Sequence, residues 1–178
     1  MIAVYGVSRI EPVVPDRMGV HPGVMLEVRR NVRQEHRTPV DALLLIERDG
    51  QILLTRRAGD IYGSGWWAIP SGRLEPDEDI VTAAVREADE ELGIQVDEDD
   101  ALFVGVTHAR PPDSEPRIGF GFLISRWHGE PAIREPDKCT DLLWRRPDDL
   151  PDPTMPYSRE IIRLHIQRQP FSRPGWRC

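Results

Sequence analysis

The sequence predicts an α/β or α+β sandwich, with mixed strands, one helix near the middle of the chain and a second near the end. Three observations carry that expectation. Two apolar, β-prone runs within 40–56 are separated by Arg48-Asp49-Gly50, and Asp-Gly in that setting signals a hairpin. Val81, Ala84, Val85, Ala88 and Leu92 form an apolar stripe at helical spacing. Fifteen of the 17 prolines cluster in 12–39, 111–116, 131–156 and 170–174, and prolines are absent from 40–69 and 77–110, where regular elements belong.

Taken in order, the first eight residues and 24–32 have strand character, and 40–56 is the hairpin. A Gly-rich loop follows at 57–65, then a short strand at 66–69 ended by Pro70-Ser71-Gly72. The first helix spans 77–92, with Glu75, Asp77, Glu78 and Asp79 at the end where the helix dipole favours acids and Gly93 as its stop. Residues 102–109 and 118–127 read as strands joined by a Pro-rich loop, and 142–145 as another strand. A second amphipathic helix covers 157–167, with Ile161, Leu164 and His165 on one side.

Composition narrows the function. A chain of 178 residues is long enough to bury its own core. Its net charge of −7 gives no basic excess with which to neutralise a polymeric nucleic acid, and an acidic protein that handles phosphates must bring in cations. Two cysteines, Cys139 and Cys178, build no disulfide framework; MIAVYGVSRI lacks the basic and apolar regions of a secretory signal, so none is expected, and no apolar run approaches the length needed to cross a membrane. The expectation is a cytoplasmic protein, monomeric or homodimeric.

The polar face of the first helix is the anomaly. Glu87, Glu90 and Glu91 fall within about 100° of arc, and like charges at this spacing destabilise a helix by roughly 0.2–0.5 kcal/mol per pair. Glu90 and Glu91 also occupy the last turn, where the dipole repels anions. A solvated acidic face is the plain explanation. A site for a hard divalent cation also accounts for the third glutamate and for the unfavourable end of the dipole.

The spacing decides between them. Glu78 follows Gly72 after five residues, Arg86 follows Glu78 after seven, and Glu87, Glu90, Glu91 and Gly93 complete the run. This resembles the Nudix signature Gly-x5-Glu-x7-Arg-Glu-U-x-Glu-Glu-x-Gly-U, with seven fixed positions matched over 72–94 and only Ala88 smaller than the usual aliphatic. The order of elements over 38–168 is also similar to a Nudix domain. That leaves 1–37 as an N-terminal extension and 169–178 as a C-terminal tail.

The resemblance implies a Nudix-type α/β/α sandwich with a mixed β-sheet and a loop–helix–loop catalytic box. It implies that Glu87, Glu90 and Glu91 bind the metal, with Arg86 and Glu78 bracing them by a salt bridge. The carbonyl of Ser71 would be a further ligand, although the usual Pro-Gly-Gly is here Pro70-Ser71-Gly72. The stretch 129–135, GEPAIRE, is similar to the segment that supplies an outside glutamate in MutT-type members, which nominates Glu135 as a ligand or general base. Glu115 is its competitor. Arg56 and Arg57 are candidates for phosphate contacts, and one of Trp66 and Trp67 for stacking on a base.

The implied activity is Mg²⁺-dependent hydrolysis, with Mn²⁺ as an alternative ion, of a nucleoside diphosphate linked to another group. Its simplest form turns a nucleoside triphosphate, oxidised or not, into a monophosphate and pyrophosphate. ADP-ribose or a nucleotide-sugar is the rival substrate, and a non-catalytic nucleotide sensor is the rival class. Glu87 or Glu135 would take the proton of the attacking water.

Overall fold

The computed structural model describes residues 37–112 and 114–176. The strands expected at 1–8 and 24–32, and all but the last residue of the expected N-terminal extension, lie outside the described residues.

The hairpin forms as expected. Strand β1 (Val40–Arg48) runs into β2 (Gln51–Arg57), and the two turn residues take φ of 54° at Asp49 and 72° at Gly50. Positive φ at both central positions is what a two-residue type I′ turn demands. The pair separates quickly: only Glu47–Ile52 and Arg48–Gln51 are in register. Beyond them β1 pairs in parallel with β6 (Arg117–Ile124) and, over 41–43, antiparallel with β4 (Ser71–Arg73). The other neighbour of β6 is β5 (Leu102–Ala109), antiparallel. Strand β2 pairs antiparallel with β3 (Trp67–Ala68) and β7 (Cys139–Arg145).

Strand β1 is buried on both faces, and its alternation sorts the core into two layers. Ala42, Leu44 and Ile46 pack with Ala84, Ala88 and Leu92 of helix α1 (Ile80–Leu92). Leu43 and Leu45 pack with Ile161, Ile162 and Leu164 of helix α2 (Pro156–Gln167). The helices therefore cover opposite faces of a mixed sheet, giving the expected α/β/α sandwich. The small residue at position 88 has a reason here. Ala83, Ala84 and Ala88 are fully buried, so α1 meets the sheet through methyl groups and lies close to it.

Several boundaries move. Helix α1 starts at Ile80, not 77, because Asp79 caps it: its Oδ1 accepts from the Val81 and Thr82 N–H groups at 2.8 and 3.0 Å. Asp77, at φ 69°, cannot be helical, and Glu78 stays in the entry loop. The Ser71-Gly72 segment, expected to end a strand, is itself strand β4, because β1 offers it an unpaired edge. Strand β6 spans 117–124 rather than 118–127, and β7 starts at 139 rather than 142, following β2 through an irregularity at Arg56/Arg57. On α2 the inner face is Ile161, Ile162 and Leu164, with His165 half-buried beside it. In the stretch set apart as a tail, strand β8 (Phe171–Ser172) pairs in parallel with β5, and Trp176 Nε1 donates to the His108 carbonyl at 2.8 Å. Among the described residues no helix is long and apolar enough to cross a membrane.

Candidate active site

The site is built where β4 passes under α1. Gly72 takes the one position of β4 whose side chain would point at the helix. A β-carbon there would lie 1.6 Å from the Glu87 Cδ, so only glycine lets that carboxylate sit on the strand. Glu87 is 9% exposed as a result. One turn on, Glu91 accepts the Ser71 N–H at 3.1 Å.

Arg86 resolves the crowding that the sequence presents. Its Nε and Nη2 donate to both oxygens of Glu78 at 3.1 and 2.8 Å, its Nη1 to Glu87 at 2.8 Å and Glu90 at 2.9 Å, and its Nη2 also to the Arg73 carbonyl at 3.0 Å. One guanidinium thus ties the entry loop, β4 and two carboxylates of α1 into a unit. Glu78 accepts in addition the Glu75 N–H at 2.7 Å. Arg86 holds the Glu78 carboxyl below its ordinary range, and Glu78 raises Arg86 in return. Glu87 and Glu91 shift the other way. Burial raises Glu87, and burial followed by the Glu87 charge pushes Glu91 up to about 8.

These residues face a cavity of about 420 Å³. Its lining includes Ser71, Gly72, Arg86, Glu87, Glu90 and Glu91 from the α1 side, and Arg57 at the end of β2 with Glu135 and Lys138 from the loop leading into β7 and Cys139 at its start. Glu135 is thereby brought to the α1 carboxylates from outside the helix, and its charge acts on both Glu87 and Glu91. Glu115 is exposed and does not line the cavity.

The same fold now has relatives to set beside it. A family model described as the NUDIX domain matches residues 35–165. The chain belongs to the Nudix family. An 8-oxo-dGTP diphosphatase of Escherichia coli is 31% identical over 123 residues, covering 68% of this chain and 93% of its own. An RNA pyrophosphohydrolase of Erythrobacter litoralis is 26% identical over 141 residues, covering 70% and 85%. Among solved structures, a MutT Nudix hydrolase from Burkholderia pseudomallei is 32% identical, with a TM-score of 0.66 over 72% of this chain and 98% of that one. This chain is a MutT-like Nudix hydrolase.

The donor set of this Nudix box fits a hard divalent cation. It offers carboxylate oxygens, two of them on groups whose burial disfavours a bare negative charge and which a cation would relieve. Among the described residues no three His, Cys, Asp or Glu side chains form a ready-made metal cage. An Mg²⁺ site completed by water and substrate phosphates needs none.

Four sequence candidates separate on strand β2, the loop after it and β3. Alternation sends Thr55 and Arg57 to the cavity and Arg56 elsewhere: the Arg56 Nε donates to the Gly65 carbonyl at 3.2 Å and its Nη1 lies 3.7 Å from Asp141. Trp67 pairs with Arg56 and packs against the α2-side core, and Trp66 sits 6.3 Å from the Tyr62 ring. Neither tryptophan lines the cavity. The lining residues that sequence reasoning missed include Ile61, Arg73, Lys138 and Cys139. Arg73 was within reach, since it alternates with Ser71 across Gly72. Ile61 comes from the loop after β2, and Lys138 and Cys139 reach the cavity through the pairing of β7 with the end of β2.

Proposed function

We propose that the protein is a Mg²⁺-dependent nucleotide pyrophosphohydrolase, with Mn²⁺ able to substitute, that turns a nucleoside triphosphate into a monophosphate and pyrophosphate. The observation that carries this reading is one cavity with carboxylates on the α1 side and the cations Arg57 and Lys138 on the β2–β7 side. Glu87, Glu90 and Glu91, with Glu135 and the Ser71 carbonyl, would hold the metal. When bound, the ion neutralises the diphosphate and makes a coordinated water more acidic.

The chain's own groups do the rest. Arg86 keeps Glu87 and Glu90 aimed at the cavity and braces the loop through Glu78. Arg57 is fixed by its Nε donating to the Tyr62 carbonyl at 3.2 Å, which leaves the remainder of its guanidinium to face phosphate oxygens. Glu87 and Glu135 are the carboxylates able to take a proton from the attacking water.

The relatives' names support a nucleoside triphosphate. One more of them, a CTP pyrophosphohydrolase of Escherichia coli, is 49% identical over 51 residues, covering 29% of this chain and 38% of its own. Others are named RNA pyrophosphohydrolase, but a net charge of −7 argues against holding a polymer by its phosphates. The test is product analysis with Mg²⁺ and a panel of nucleoside triphosphates, ADP-ribose and an RNA bearing a 5′-triphosphate. Monophosphate plus pyrophosphate from the free nucleotides, with monophosphates inert, is the expected result. Turnover of ADP-ribose alone would overturn the substrate class, and nucleotide binding without turnover would make the domain a sensor.

A further inference from the structure

Lys138 stands between the two kinds of charge in the cavity. Its Nζ lies 2.5 Å from the Glu135 Oε1, and both residues line the cavity. The backbone here is fastened. The Lys138 and Cys139 N–H groups both donate to the Glu135 carbonyl at 3.0 Å, and the Ala58 N–H donates to the Lys138 carbonyl at 2.8 Å. A β-carbon on Gly59 would come within 2.8 Å of the Asp137 carbonyl, so this segment packs directly against the chain leaving β2. The side chain is different: it is 67% exposed, and its flexible four-carbon stem lets the ammonium swing without moving the loop. Its positive charge is felt by Glu91 and Glu87 as well as by Glu135.

A divalent ion drawing on the Glu135 carboxylate competes with Lys138 for the same lone pairs, and the two cations repel each other at that distance. With Glu87 and Glu91 engaged by the same ion, a substrate phosphate facing Arg57 is the anion that would be left for the ammonium. Arg57 and Lys138 belong to the same wall, because Arg57 pairs with Cys139 across β2 and β7. Lysine serves well in such a role as a mobile point charge.

We propose that Lys138 is a displaceable cation: it holds Glu135 toward the cavity until a divalent metal takes that carboxylate, and the released ammonium then binds the substrate's phosphate oxygens. This rests on the reading of the box as a metal-dependent hydrolytic site, and calorimetry with Mn²⁺ alone separates the two. Wild type, Lys138→Met and Lys138→Arg are titrated without nucleotide, each also in a Glu135→Gln background. An exposed lysine–carboxylate pair is a weak competitor, so Lys138→Met should tighten Mn²⁺ binding about two- to fivefold. In the Glu135→Gln background that gain should vanish, which a long-range charge effect would not do.

With a nucleoside triphosphate, Lys138→Met should raise KM about tenfold, the order expected for one lost charge-assisted contact, while Lys138→Arg keeps KM near wild type. The melting temperature should not move. Equal Mn²⁺ affinity in wild type and Lys138→Met, or a gain that persists in full with Glu135→Gln, overturns the competition. An unchanged KM in Lys138→Met overturns the phosphate contact. Wild type that fails to bind Mn²⁺ overturns the metal site itself, and this inference with it.

Discussion

Two ionic clusters lie on opposite sides of β1, and they are built on different terms. On the α2 side Asp41, 4% exposed, receives Arg117 through two bonds, from Nε at 2.6 Å and Nη2 at 2.7 Å, and the Tyr157 hydroxyl at 3.1 Å. One acid meets one base, with a phenol to complete the carboxylate's hydrogen bonding. On the α1 side three carboxylates share the single guanidinium of Arg86, and a fourth, Glu91, has among the described residues only a backbone N–H. Balance is what a structural ion pair needs in a low-dielectric setting. Surplus charge of one sign, held in place by the rest of the fold, is what a site needs if it is to take up a ligand of the other sign.

The sharpest way to break this contrast is at the surplus cluster. Chelation should abolish turnover, and Glu135→Gln should lower kcat by roughly 10²–10⁴-fold if that carboxylate is a ligand or the base. Its melting temperature should stay near wild type. Glu115→Gln should leave steady-state kinetics unchanged.

The balanced cluster should answer in stability instead. Asp41→Asn should cost about 2–3 kcal/mol in denaturant unfolding, below the roughly 3–5 kcal/mol of a fully buried pair because the Arg117 side chain is 30% exposed. Its Mn²⁺ affinity should be that of wild type. A loss of metal binding without a loss of stability would erase the distinction.

Gly72→Ala tests the contact that seats Glu87 on β4. The added methyl must displace either the strand or the carboxylate, so a destabilisation of about 1–3 kcal/mol is expected, with weakened Mn²⁺ binding. Wild-type stability and metal affinity in the Gly72→Ala variant would show that the close approach is not required.

The last test is a pH dependence of the metal-free protein. Glu91 has its carboxyl pushed from 4.5 to about 8 in the folded state. Between those values the folded protein binds this proton more tightly than the unfolded chain. Stability with chelator present should therefore fall as pH rises from about 5 to about 8. Mg²⁺ should reverse the fall by favouring the carboxylate, and Glu91→Gln should flatten it, leaving the metal-free protein as stable as wild type or more so. Thermal melts across that range check both.

The two clusters also differ in how far the sequence reveals them. Everything in the surplus cluster except Glu135 lies within 71–91, so helical periodicity and residue spacing expose it directly. Asp41 and Arg117 are 76 positions apart, and Asp41 and Tyr157 are 116 apart. They meet because β1 pairs in parallel with β6 and α2 docks on that face, and local pattern carries neither fact. The same reason hid Lys138, which reaches the cavity through the β2–β7 pairing, and left Trp67 a candidate for stacking although it packs into the core. The β1–β2 turn and both helices were legible because they depend on neighbours in sequence. Strand β4 was not, because three residues beside prolines become a strand only when β1 presents an edge.

The most direct measurement is the anomalous signal from a crystal soaked in Mn²⁺. The account predicts a peak in the cavity within coordinating distance of Glu87, Glu91 and Glu135. A peak on the acidic turn at Asp97–Asp100 or at Glu115, with none at the α1 carboxylates, would contradict it.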